Sequence, residues 1–249
     1  MLKRIGKNCI VLAFWLGLWA LLAALVDREL LLPGPRAVLR RLGELILTGP
    51  FWRTTGVSLL RILLGAVLGI LLGTVLAVLT RRFRVLSALL SPLLTLVRST
   101  PVASFILLVL IWVGRDILPA VIVVLMVLPV VWGNVTAGIA AADPLLLEMA
   151  AVYRFGPWRT VARVYVPAAL PHFLSACRTG LGLAWKAGVA AEVLTVPRLS
   201  IGRHLYESKL YMETVDLFAW TVVVILLSLL LEKLLSALIA RLRKGGDPS

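Results

Sequence analysis

Six long stretches almost free of charge set the terms for everything else this sequence can do. They fall at residues 9–26, 56–79, 85–113, 117–140, 172–194 and 215–239. A bilayer core about 30 Å thick is crossed by a helix of about 20 apolar residues, so each stretch is long enough to span once. With 61% hydrophobic residues in 249, the chain carries far more apolar surface than one soluble core could bury. The pattern predicts an all-α, polytopic membrane helical bundle with six transmembrane helices.

Arg and Lys cluster where these stretches end. Lys3, Arg4 and Lys7 precede the first, Arg81, Arg82 and Arg84 follow the second, and Arg241, Arg243 and Lys244 follow the last. The positive-inside bias then places both termini in the cytoplasm. It also accounts for the formal charge of +14 without invoking nucleic acid. The first stretch reads as an uncleaved span, being long and followed by no convincing cleavage site. Residues 36–47 alternate Val38, Leu39, Leu42, Leu45 and Ile46 with Arg40, Arg41 and Glu44, which predicts an amphipathic helix on the membrane surface or on the other spans.

Within the spans, Gly65, Gly69 and Gly73 form a ridge at four-residue spacing, suited to close helix contact and to a subunit boundary. Arg61, near the outer end of the same span, is expected to snorkel to the surface. Arg98-Ser99-Thr100-Pro101 interrupts the third stretch and predicts a kink or break there. Polar groups at such a break must face protein or a water-filled cavity, so Arg98, Ser99 and Thr100 are candidate pathway residues. The fifth stretch carries Arg178, Trp185, Lys186 and Glu192. Arg178, Gly182, Trp185, Lys186 and Val189 are expected on one helical face, with Lys186 a positive site on a pathway. Six residues of helix separate Lys186 from Glu192 by some 120°, so Glu192 should pair with another helix or subunit. Residues 195–214 read as an outer loop.

Residues 143–171, between the fourth and fifth stretches, differ from all other connections. Asp143-Pro144 reads as a helix N-cap and first position, and Gly156-Pro157 as a break and restart. Pro167 and Pro171 are expected to end the second helix. The result is a cytoplasmic helix–turn–helix.

At these residues a resemblance appears. Glu148, Ala150, Gly156 and Val166-Pro167 resemble the coupling loop of binding-protein-dependent ABC importer permeases. Trp158, Thr160, the run PAALP at 167–171 and GLGLAWKAGVAAEVL at 180–194 resemble the nitrate/sulfonate/taurine permease family in particular. The likeness runs from LPGP at 32–35 to the last span. The family's glycine usually stands where this chain has Arg154, with Gly156 two positions later. The resemblance implies a type I ABC importer permease fold and a plasma (inner) membrane location in a prokaryote. It implies a permease homodimer, a separate ABC ATPase subunit that uses ATP and Mg, and an extracytoplasmic substrate-binding protein. It puts Asp143, Glu148, Ala150, Ala151, Arg154, Gly156, Trp158 and Pro167 at the ATPase contact. The organisation expected is an N-terminal transmembrane helix with an outer amphipathic segment (1–53), a permease transmembrane domain (54–240) containing the cytoplasmic coupling loop 143–171, and a basic cytoplasmic tail (241–249).

No cofactor is expected in the chain itself. It has no G-x-x-x-x-G-K-[ST] phosphate loop, no H-E-x-x-H and no G-x-S-x-G. Cys9 and Cys177, both in apolar stretches, offer neither a disulfide framework nor a metal site. An integral-membrane enzyme and a carrier or channel without an ATPase remain the alternatives. The solute itself is left open: anions such as nitrate or sulfonates, or neutral and heterocyclic nutrients.

Overall fold

The computed structural model describes residues 2–244, and among them no β-strand occurs. Residues 245–249 of the basic tail lie outside the described residues. The helices are α1 (Leu2–Val26), α2 (Pro35–Ile46), α3 (Gly49–Arg82), α4 (Arg84–Ser99), α5 (Val102–Val109) and α6 (Leu118–Ala140). They continue with α7 (Pro144–Val152), α8 (Pro157–Thr160), α9 (Val166–Thr195), α10 (Ile201–Leu210) and α11 (Thr214–Lys244).

The centre of the bundle is α6, packed against α3 on one side and α9 on the other. Glycine makes the first contact possible. A Cβ on Gly65 would lie 2.7 Å from the Ala120 carbonyl oxygen, one on Gly69 2.9 Å from Val127 Cβ, and one on Gly73 2.7 Å from the Leu128 oxygen. In lipid, where burying apolar area gives little drive, such close approach supplies the dispersion contact that holds helices together. The ridge therefore joins two helices of one chain and is not a subunit boundary. These contacts run parallel along α3 and α6, whereas Gly138 against His172 and Gly180 against Val127 make α9 antiparallel to α6. The start of α3, the end of α9, α10 and the start of α11 consequently share one end of the bundle. The end of α3, α7 and α8 share the other. These are called below the α10 end and the α7 end.

Among the described residues, α3, α6 and α11 are long and apolar enough to cross a membrane, and α4 with α5 makes a fourth span if counted as one. The break falls at Thr100-Pro101, as its sequence predicts, and turns the chain by 109°. Thirty residues make α9 about 45 Å long. Arg178, Lys186 and Glu192 lie within its length. The described apolar part of α1 runs Ala13–Val26.

Three expectations are corrected here. Pro167 and Pro171 do not end a helix: helical structure is continuous from Pro157 to Thr195. A π turn at Val161–Tyr165 precedes Pro167, with the Val166 N–H donating to the Val161 carbonyl. This wider turn falls where the Pro167 ring would otherwise crowd the Arg163 carbonyl, which lets the helix pass through Pro167, and α9 also continues through Pro171. Residues 195–214 are not a loop, because they hold α10, capped by Ser200 Oγ accepting from the Arg203 N–H at 3.0 Å. Its inward side is Ile201, Leu205 and Ser208, and the short polar segments around it hid that side from a span-length reading. Arg61 does not snorkel but turns into the bundle.

The amphipathic helix expected at 36–47 is α2. It buries Val38 and Leu42 and lies on the spans, tied to α11 by Arg41 Nη2 donating to Asp216 Oδ2 at 2.8 Å. The Trp19 indole donates to the Pro33 carbonyl at 3.1 Å and stacks on Phe218, which joins α1 to the same end.

Candidate functional site: the coupling turn and the charged residues of α9

At the α7 end, Asp143 caps α7 by accepting from the Leu145 N–H at 2.8 Å. Pro144 fills the first turn, where its missing N–H costs nothing. The helix closes with two bonds, Phe155 N–H to the Ala150 carbonyl at 2.8 Å and Arg154 N–H to the Ala151 carbonyl at 3.0 Å. This is the Schellman pattern, which requires a left-handed residue at the position Arg154 occupies. Arg154 has φ 51°, so it takes the glycine conformation without being glycine. The departure from the family pattern thus leaves the turn intact. Gly156, extended at φ −64°, serves as the N-cap of α8.

A side chain in the left-handed region costs about 1 kcal/mol relative to glycine. Arg154→Gly is accordingly expected to raise the stability of the α7–α8 turn by about that amount. Amide hydrogen exchange at Phe155 would slow severalfold in the variant, and unchanged exchange would refute the assignment of strain.

The exposed side of this element is strongly apolar. Leu145, Val152, Tyr153 and Trp158 stand clear of the bundle, Trp158 at 80% exposure. Glu148, Ala151 and Arg154 are exposed beside them, and Pro167 is exposed one π turn past α8. Ala150 is not: at 3% exposure it is packed within the chain, whereas Ala151 beside it is exposed. Ala150 is the one buried residue of α7, a small side chain that fits against the bundle.

The charged residues of α9 separate in space. Arg178, Gly182 and Lys186 are exposed, whereas Trp185 and Val189 are buried, the Trp185 indole donating to the Val224 carbonyl of α11 at 3.2 Å. At 100° per residue the five fall within an arc of about 100°, one side of the helix, along which Trp185 and Val189 pack into the bundle while Arg178, Gly182 and Lys186 do not. The Arg178 guanidinium reaches Ser236 Oγ on α11 at 3.2 Å. At the α4–α5 break, Arg98 and Ser99 are exposed and Thr100 half-buried. The Arg98 guanidinium lies over Gly133 of α6, where a Cβ would come within 2.7 Å of Nη2.

Glu192 does pair with another helix, as its angle to Lys186 requires. It is fully buried, and Arg61 Nη1 of α3 donates to its Oε1 at 2.6 Å. Ser58 Oγ donates to Oε2 at 2.8 Å and itself accepts the Ile201 N–H at 2.9 Å. The Gly202 N–H completes the set at 3.3 Å, and Arg61 Nη2 also reaches the Leu199 carbonyl. A Cβ at Gly202 would overlap the Glu192 backbone. α10 is held further by the His204 imidazole, stacked on Trp220 with centroids 4.5 Å apart. Burial there pushes its pKa below the usual histidine range. Ser58, Arg61 and Gly202 were not candidates from the sequence. The available signal was that Arg61 and Glu192 are lone opposite charges near the same end of two spans.

The model of the "binding-protein-dependent transport system inner membrane component" family matches residues 65–244. The chain belongs to this permease family. The permease is 32% identical to a probable ABC transporter permease protein of Brucella abortus (strain 2308), over 99% of this chain and 98% of the relative. It is 27% identical to a putative aliphatic sulfonates transport permease protein of Bacillus subtilis (strain 168), over 89% of this chain and 81% of the relative. Its fold is similar to that of a solved amino acid ABC transporter chain, with a TM-score of 0.62 and 19% identity, covering 74% of the permease and 90% of that chain. The permease is thus the membrane-embedded subunit of an ABC importer, the part that forms the solute path and couples it to ATP hydrolysis in a separate subunit. Permeases of this kind work with an ATPase and a substrate-binding protein.

Proposed function

We propose that two copies of this permease form the pathway, in the plasma membrane of a prokaryote, with both termini and α7–α8 in the cytoplasm. An ABC ATPase subunit docks on α7–α8 and carries all the ATP and Mg chemistry, so the permease is no enzyme. An extracytoplasmic binding protein delivers solute at the α10 end. Arg81, Arg82 and Arg84, with Arg154, Arg159 and Arg163, support this orientation, since all lie at the α7 end and cytoplasmic ends collect basic residues.

The observation that carries the docking assignment is the exposed apolar surface of Leu145, Val152, Tyr153 and Trp158 on an element beyond the spans. Patches of this kind mark interaction sites. Asp143, Gly156 and Pro167 shape the element, while Glu148, Ala151, Arg154 and Trp158 make the contact. Ala151→Trp is expected to abolish co-purification of the ATPase while leaving membrane insertion unchanged. Undiminished co-purification would overturn the assignment.

For the solute, the free cationic groups favour an anion. Among the described residues, no carboxylate lies within ion-pair distance of Lys186, Arg98 or Arg178. A cation inside a membrane domain requires water, a partner or an anionic solute. Lys186, with Arg98, Ser99, Thr100 and Arg178, is read as lining the path, whereas Trp185 and Glu192 support it from within the bundle. The Bacillus relative is named for aliphatic sulfonates, which agrees with a small anion. Vesicles containing permease and ATPase, with the binding protein added and offered in turn an alkanesulfonate and a neutral heterocycle, separate the classes. Lys186→Met should depress sulfonate uptake by about tenfold or more, the weight of one lost charge contact. Uptake confined to the heterocycle would refute the anion reading.

A further inference from the structure

From the α7–α8 turn to the far end of the bundle the chain never leaves helical structure: α8, the π turn and α9 form one rod, Pro157–Thr195. Continuous helical structure offers a physical link along which displacement of one end is carried to the other. The far end is unusual in being tied by charge. The Glu192 carboxylate of α9 gathers Ser58 and Arg61 of α3 and the backbone of Gly202 at the start of α10. Gly202 is pressed so closely onto the rod that no side chain fits between them.

Stability alone does not require this arrangement, since a buried ion pair is often no more stabilising than apolar side chains of similar volume. What it adds is direction. Apolar packing would let α10 slip along α9, whereas the Gly202 bond to Glu192, with Ile201 held through Ser58, defines one relative position. The outward side of α10 and the following turn exposes Tyr206, Leu210, Tyr211 and Met212, a surface whose position depends on that tie.

We propose that Glu192 is a positioning residue for energy coupling: it fastens α10 to the rod, so that movement of α7–α8 shifts the surface of α10 at the opposite end. The proposal rests on α7–α8 being the ATPase docking element. It concerns a link between two faces of the permease, whereas the pathway cations concern the solute.

The test uses the full permease in complex with its ATPase, in lipid nanodiscs, with Mg-ATP and vanadate as the trapping agent. Cys9→Ser and Cys177→Ser clear the background, and Leu210→Cys carries a bimane label on the exposed side of α10. With Glu192 intact, trapping should change the bimane emission. Glu192→Gln, which keeps an acceptor but removes the charge, should reduce that change about fivefold or more while the complex still forms and hydrolyses ATP. Ser58→Ala retains the ion pair and removes only the bridge to Ile201, so it should fold even if Glu192→Gln does not. It should reduce the change by about half. A bimane response equal in all three proteins, or none with Glu192 intact, overturns the proposal. Failure of the unsubstituted permease to hold the ATPase is a different result, and it removes the docking assignment together with the link built on it.

Discussion

Replacing Arg61 with Met is expected to destabilise the permease by about 3–5 kcal/mol, the cost of leaving a buried carboxylate without its countercharge. Glu192 is wholly inaccessible and Arg61 only 13% exposed, so neither can turn to solvent when its partner is lost. Ser58 and Gly202 would still donate to Oε2, but Oε1 would keep no donor. The double variant Arg61→Met/Glu192→Met should recover most of the loss, because it removes the stranded charge as well as the pair. Thermal unfolding in detergent, followed by intrinsic fluorescence, measures both. Arg61→Met and the double variant melting together would show that the pair contributes through packing and not through charge. The double variant is also expected to be stable yet poorly coupled if Glu192 positions α10, which separates stability from transmission.

The second large effect is expected from Gly73→Leu. Its Cβ would arrive 2.7 Å from the Leu128 carbonyl oxygen and 2.9 Å from Val131 Cβ, and a backbone oxygen within α6 has nowhere to go. Overpacking of this kind costs about 1–3 kcal/mol when neighbours can shift, and more when they are backbone. Separation of α3 from α6 also exposes the matching contacts at Gly65 and Gly69, so the yield of folded permease should fall sharply. Gly56→Ala is the informative control. It lies in the same helix with nothing within 4 Å of the added Cβ. There the helix gains about 0.5–1 kcal/mol from the lost backbone freedom of glycine. A similar loss in both variants would mean that α3 tolerates no change anywhere, and that the ridge has no special part.

Much of the permease can be read from residue order, and the reason is that the bilayer imposes a length on every crossing. The apolar stretches, the break at Thr100-Pro101, the amphipathic α2 and the Asp143-Pro144 start of α7 all follow from local chemistry acting over a few residues. So does the turn at Gly156-Pro157. The family's loop is legible for the same reason, being a short pattern of cap, small residue and turn. What residue order could not decide was anything that depends on which surfaces meet. The glycine ridge of α3 has the same spacing whether it faces α6 or a second copy, and only the packing of α6 assigns it. Ala150 and Ala151 are indistinguishable by type, yet one is packed and the other free, because the bundle lies on one side of α7. Pro167 and Pro171 signal a helix end on local grounds, but a π turn and the contacts of α9 with α6 carry the helix through them. Glu192, Arg61, Ser58 and Gly202 lie up to 144 positions apart, and no local pattern links them. They converge because antiparallel α3 and α9 bring the start of one beside the end of the other, where a buried charge is stable only with its partner in place.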